Sequence, residues 1–468
     1  MYDATKQSLT PFFEPRSVAI VGASGTPGKA GYEAIRNLQA NAYPGHIYPV
    51  NPRGGEILGL PVMASIGTLP DGVDVAIIIL PAEATPQAVR ECASRGIGHV
   101  ALMAGGFAEV DETGVEAQNE LLTIIRETGI RVLGPNISGH ASTPQSYTSA
   151  FFPLGKIRRG TVSVIAQTGN FLTHTMRYIL TGEHFGVARV IGLGNKVDVD
   201  EVDALEYLAD DPETSAIIMY LESFKRPARF LSVAREVSRR KPIVMLKSGM
   251  TEAGKQAAVA HTAAMATEDR LVDGMLRQSG IVRLEEYTDL ILAAKALSMV
   301  PLPKGNRVGF LAPSGAMLVV LTDLCVRLGL EVPTVTDETV ARLHEISPPY
   351  IRMRNPVDIW ASATVNGVEF GYREGMEALL KDPTIDAVVP ILMLTRDTGI
   401  PPFDFIVDLA QRYPEKPILV GFSGDADCME ECKAFLEPRN IPTFPVLEQP
   451  FKALAILARC HEAMLGNH

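Results

Sequence analysis

The chain has 468 residues, 46% of them hydrophobic and 21% charged, with a formal net charge of −11. That length suits about three domains with full cores. The acidic balance excludes a nucleic-acid backbone as the main partner, since such binders present a basic surface.

The five cysteines (Cys92, Cys325, Cys428, Cys432, Cys460) are scattered and odd in number, as expected in a reducing compartment. Cys428 and Cys432 have no second pair beside them, so no metal site is expected. No apolar run approaches the ~18 residues that cross a bilayer, and the N-terminus lacks a charged-then-apolar leader. The expectation is a soluble, cytoplasmic protein that contacts neither nucleic acid nor membrane.

From the N-terminus, SVAIVGA, HIYPVN, VDVAIIILP, HVALMA and RVLGPN each read as a buried strand. Between them PQAVRECASRG and EAQNELLTIIRETG read as helices, the second closed by Gly129 as a C-cap. Strand alternating with helix predicts a parallel, doubly wound sheet. A second unit opens at GTVSVIAQTGNFLTHTMRYIL and a third at GNRVGFLAPSGAMLVVLTDLC. The two openings align as strand, turn and helix, a weak internal repeat of a flavodoxin-like unit. Pro301, Pro303 and Gly305 mark the linker before the third. The predicted boundaries are 1–142, 143–300 and 301–468.

The first strand runs into VGASGTPGKAGYEAIRNL, where Gly22, Gly25 and Gly28 permit a tight turn before a helix N-terminus. Such a turn is a phosphate site, or a βα connection that needs glycine for sterics alone. The spacing is G-x-x-G-x-x-G rather than the dinucleotide fingerprint. After the second strand Asn51, Pro52 and Arg53 stand where NAD would want an acid. With Lys29 just inside the helix, a ligand richer in phosphate, such as coenzyme A, fits better. A nicotinamide oxidoreductase is therefore the less favoured alternative.

Thr168, Gly169 and Asn170 in AQTGN sit at a strand-to-helix turn, a second anion site, and Ser314, Gly315 and Ala316 form its copy in the third unit. Two such turns facing one phosphate would hold it between two helix dipoles. Glu222 ends the apolar strand IIMYLE, placed either as a solvated carboxylate or as one that fixes a histidine's tautomer. His261, in KSGMTEAGKQAAVAHTAAMA, is on local grounds either an exposed or structural residue or a phosphoryl carrier.

FFEPRSVAIVGAS, YPVNPRGGEILGLPV, VDVAIIILPAEATP, MAGGFAEV and GPN, in this order, resemble the CoA-binding domain of NDP-forming acyl-CoA synthetases. The stretch around His261 resembles that superfamily's phosphohistidine segment. GLGNKVD, DALEYLADDPET and NPVDIW extend the resemblance over essentially the whole chain. The resemblance implies an α subunit: a Rossmann-like CoA-binding domain followed by two flavodoxin-like domains. CoA would lie across Gly22, Ala23, Ser24 and Lys29, past Asn51, Pro52 and Arg53, and along Leu80, Pro81 and Gly105. His261 would carry the phosphoryl group, with Glu222 supporting it. An ATP-grasp β subunit, in an α2β2 assembly, would supply ADP or ATP and Mg2+.

Four departures stand out. Ala260 replaces the usual Ser before the histidine, Ile137 the usual Cys of GPNC, AQTGN the commoner SQSG, and Pro313-Ser314 part of a glycine-rich turn. A CoA-sensing module without phosphoryl chemistry is the other alternative. The sparse bulk around His261 predicts a segment, about 250–268, able to take up two positions. Trp360, after NPVD, is either an acyl-pocket wall or core.

Overall fold

The structure, a computed structural model, describes residues 9–256, 268–397 and 402–466. The chain divides into two compact units, Met1–Leu284 and Glu285–His468. The first sheet comprises β1 (Ser17–Val21), β2 (His46–Val50), β3 (Val75–Ile78), β4 (His99–Leu102) and β5 (Arg131–Leu133), all parallel in the order β2-β1-β3-β4-β5. Every residue of β1 and β3 is buried, because helices cover both faces of the sheet. That is why these strands read as unbroken apolar runs. The helix Glu112–Thr128 begins at Asp111, whose carboxylate accepts the Gly114 N–H, and ends at Gly129 in the left-handed region with φ 70°.

The second sheet begins with an antiparallel hairpin, β6 (His140–Ser142) and β7 (Tyr147–Thr148). Five parallel strands follow, β8 (Arg159–Ala166), β9 (Val187–Gly192), β10 (Ala216–Leu221), β11 (Ile243–Lys247) and β12 (Ile281–Leu284). Across the sheet they run β12-β11-β10-β8-β9-β6-β7. In the second unit β13 (Val308–Ala312), β14 (Val357–Asp358), β15 (Ala387–Leu394), β16 (Val420–Gly424) and β17 (Thr443–Phe444) run β14-β13-β15-β16-β17.

Numbered within each sheet, the five parallel strands have one order three times over: 2-1-3-4-5. The helix Tyr287–Met299 belongs to the second unit, and the hairpin strand His140–Ser142 belongs to the second sheet. Both lie just across from the sequence-drawn boundaries at 300 and 142. A buried ion pair, Lys295 Nζ to Glu437 Oε1 at 2.7 Å, ties that helix into the second unit.

In a doubly wound sheet ligands bind where the strand order reverses, outside the carboxyl ends of the strands. With this order the reversal falls between the first and third strands of each sheet. The loops after β1 and β3, after β8 and β10, and after β13 and β15 are therefore the places where chemistry is expected.

Candidate active site

At the first reversal the glycine turn after β1 touches the loop after β3. Gly22 has φ +93°, and a Cβ there would stand 2.3 Å from the Ile79 carbonyl oxygen. Gly31, which the sequence reading passed over in GKAGYEA, is required as well: its Cβ would fall 2.2 Å from the Gly22 oxygen, so only glycine lets the helix Ala30–Ala40 approach the turn. Asn51 braces the rim, donating to the Ala23 carbonyl at 2.8 Å and accepting the Arg53 N–H at 2.9 Å. Ser24 Oγ accepts the Thr26 N–H at 3.2 Å.

Beyond this brace the backbone is open. A Cβ at Gly28, Gly54 or Gly55 would meet nothing within 4 Å, and Lys29 and Arg53 are exposed beside it. Leu80 and Pro81 form the opposite lip. The cradle and its two exposed cations fit a phosphorylated ligand. The helix end itself is partly used: the buried Glu33 carboxylate accepts the Gly28 N–H at 3.0 Å.

At the second reversal a cavity of about 990 Å³ opens. Gly105 lines it from the first sheet's loops, Thr168, Gly169 and Asn170 from the turn after β8, and Glu222 from the end of β10. Five of the residues singled out from sequence are thereby brought together. Phe151 and Phe152 form an apolar wall, with ring centroids 4.3 Å apart. The buried Asn37 places that wall by donating to the carbonyls of Ala150 and Phe152 at 2.8 and 2.6 Å.

Several residues that sequence reasoning left unassigned hold this site. Gln167 Oε1 accepts the N–H groups of Glu222 and Ser223, both at 3.0 Å, and its Nε2 donates to Ser223 Oγ at 3.0 Å. The anion turn and the glutamate loop are thus one hydrogen-bonded piece. From below, Lys196 and Glu201 form a fully buried pair at 2.9 Å. Lys196 Nζ also donates to the Ser223 carbonyl at 2.7 Å, while Glu201 Oε1 accepts the Lys225 N–H at 2.7 Å. Burial pushes the Lys196 ammonium below its ordinary range, against the attraction of Glu201. The sequence signal was the unusual density of charge in GNKVDVDE, set directly against apolar runs.

Glu109, also in the cavity wall, accepts from Gly106 N–H at 2.7 Å and from Asn195 Nδ2 at 2.6 Å. Burial alone would raise its carboxyl, but these hydrogen bonds prevail and hold it below the usual carboxylate range. Lys247 Nζ donates to the Ser248 carbonyl at 2.5 Å, and burial lowers this ammonium too.

Ser314 opens the helix Gly315–Arg327 in the second unit, and a Cβ on Gly315 would come 3.5 Å from Asp358 Oδ2. Asn355 of NPVD braces the first half of β13, donating to the Val308 carbonyl and accepting the Phe310 N–H at 3.0 and 3.2 Å. Trp360 is 49% exposed, so it is not core. His261 and Ala260, with most of the 250–268 stretch, lie outside the described residues. No described helix is long and apolar enough to cross a membrane.

Comparison with known proteins agrees with this arrangement. Residues 16–141 match a family model described as a CoA binding domain, and residues 159–297 one described as a succinyl-CoA ligase like flavodoxin domain. Together they define a CoA-binding protein of the ligase type. ADP-forming acetate–CoA ligase II of Archaeoglobus fulgidus is 36% identical over 95% of this chain, which spans 65% of that relative's length. Subunit alpha of the ADP-forming acetate–CoA ligase I of Pyrococcus furiosus is 34% identical over 96% of this chain and 97% of its own. An acetyl-coenzyme A synthetase 1 of Ca. Korarchaeum cryptofilum, solved with phosphate and ADP, superimposes with a TM-score of 0.90 at 32% identity, over 98% of each chain. The chain belongs to the ADP-forming acyl-CoA synthetase family, whose α subunits it matches from end to end.

Proposed function

We propose that the chain is the α subunit of an ADP-forming acyl-CoA synthetase, interconverting acyl-CoA, ADP and phosphate with a carboxylic acid, CoA and ATP. The observation that carries this is the convergence of Gly105, the Thr168–Asn170 turn and Glu222 on one cavity. CoA is bound at the first sheet's reversal, with Lys29 and Arg53 facing its phosphates and the loop at Gly105 leading its thiol end into the cavity.

The backbone N–H groups at Thr168–Asn170 hold phosphate for attack on the thioester carbonyl. CoA leaves and an acyl phosphate remains. His261 then takes the phosphoryl group, releasing the acid, and Glu222 steadies the imidazole as positive charge develops on it. Ser314, Gly315 and Ala316 serve as the second anion turn. An ATP-grasp β subunit supplies the ADP and Mg2+ site in an α2β2 assembly, in a cytoplasmic setting. Asn51 is already braced to Ala23 where a dinucleotide enzyme keeps its ribose-binding acid, which disfavours a nicotinamide reading.

The test is to purify the chain with the ATP-grasp protein encoded beside it and supply ATP, CoA and a panel of carboxylic acids. The wild type should form acyl-CoA and a phosphorylated α chain, and His261→Ala should form neither. Full turnover by the alanine variant would end the phosphohistidine reading.

A further inference from the structure

One group in the cavity has no part in the scheme above. His174 is exposed into it, on a single π-helical turn, Phe171–Thr175, that follows the anion turn directly. Turns of this kind recur at functional sites because they turn a side chain out of helical register. The ring's hydrogen bonds identify its tautomer. Nδ1 lies 3.1 Å from Asn170 Oδ1 and 3.0 Å from Thr173 Oγ1. The Thr173 hydroxyl donates its own hydrogen to the carbonyl of Gly169 or Asn170, at 3.1 and 3.2 Å. Both neighbours of Nδ1 are therefore acceptors, and Nδ1 carries the proton. In the neutral ring Nε2 is left with a lone pair, and it has no hydrogen-bond partner among the described residues.

The reaction proposed above needs a base at this place. A thiol attacks an acyl phosphate as the thiolate, so its proton must go elsewhere. The other charged side chains of the cavity are poor candidates. Glu109 has both oxygens occupied and is held below the carboxylate range, Lys225 is a cation, and Glu222 is assigned to the phosphoryl step. An imidazole with a free Nε2 is suited to take and return a proton. Resting on the synthetase reading, we infer that His174 is the general base for the CoA thiol.

In the direction of acyl-CoA formation, Nε2 takes the S–H proton as the sulfur–carbon bond forms. The carbon–oxygen bond to phosphate breaks, and the imidazolium passes the same proton to the departing phosphate, so charge and protons balance. In the other direction Nε2 takes a proton from the attacking phosphate and gives it to the leaving thiolate.

The two half-reactions separate this role from the rest. In the assembled enzyme, acyl phosphate plus CoA yields acyl-CoA and phosphate, whereas acyl phosphate alone phosphorylates the chain without any thiol. His174→Gln and His174→Ala should lose roughly 100- to 10,000-fold in the first and stay within about twofold in the second. Nitrogen-15 histidine NMR of the wild type, which requires no variant, should show Nδ1 protonated and Nε2 bare, and CoA should perturb that ring. Acyl-CoA formation that survives the substitutions, equal losses in both half-reactions, or an Nε2–H tautomer would overturn the inference. A wild type that performs neither half-reaction would instead overturn the synthetase reading.

Discussion

At the scale of single residues, the site depends on buried polar groups that are paired with one another. Lys196 and Glu201 are inaccessible, and each makes one further hydrogen bond to the loop Ser223–Lys225 beside Glu222. A buried pair of this kind adds little net stability over apolar residues of the same size, yet removing one partner strands a charge. Glu201→Ala should therefore cost about 3–5 kcal/mol, and the double substitution Lys196→Met, Glu201→Met should cost clearly less. Denaturant midpoints of the three proteins measure this; equal losses would mean the pair is an ordinary contact. His174 makes the complementary point, since its tautomer follows from two nearby acceptors, one on the preceding residue and one a turn earlier.

At the scale of elements, helix ends are secured by groups distant in sequence. The helix Asp337–Glu345 starts at Thr336, whose N–H and hydroxyl both donate to Asp382 Oδ2, at 2.8 and 3.0 Å. The other oxygen accepts the N–H and hydroxyl of Thr384, at 2.8 and 2.6 Å. Burial alone would raise this carboxyl, but the four donors outweigh it and lower it from 3.8 to about 2. A depressed carboxylate contributes stability that is complete above its unfolded value and is lost as pH falls through the folded one. Wild type should then exceed Asp382→Asn in stability at pH 7, with the gap closing between pH 3.8 and about 2. Thermal midpoints of both proteins across that range decide it, and a gap independent of pH would show that the charge is not responsible.

At the scale of the molecule, the two sheets of the first unit share one core. A single buried cluster runs from Leu9 to Ile281. Phe13 stacks on Tyr207 at 4.7 Å, and Tyr43 meets Tyr147 at 5.5 Å. The almost fully buried Arg189 reaches Glu14 at 2.9 Å as well as Asp211 at 3.2 Å. The second unit has a separate cluster, from Leu311 to Ile441. Residues 1–284 expressed alone should therefore fold cooperatively, whereas a chain ended at 142 should lose the shared core and aggregate. Circular dichroism and calorimetry of the two fragments test this, and a well-folded 1–142 fragment would refute the continuous core.

Much of this was legible in the residues themselves. Buried parallel strands need unbroken apolar runs, and βα turns need glycine, so SVAIVGA, AQTGN and the capped helix ending at Gly129 announce their structure locally. The likeness of the second and third sheets was visible as that between VSVIAQTGN and VGFLAPSGA, whereas the strand order they share with the first appears only in the fold. The residue types for a phosphorylated ligand and an acyl transfer were equally visible, as side chains at strand ends. Tertiary structure alone decided which of them meet. Gly105 joins Thr168 and Glu222 because two sheets present their carboxyl ends to one cavity, a contact between segments some 60 to 120 positions apart. Gln167, the Lys196–Glu201 pair and His174 acquire their roles only there. A hydrogen bond depends on distance and direction in space, and neither is written in the spacing of residues along the chain.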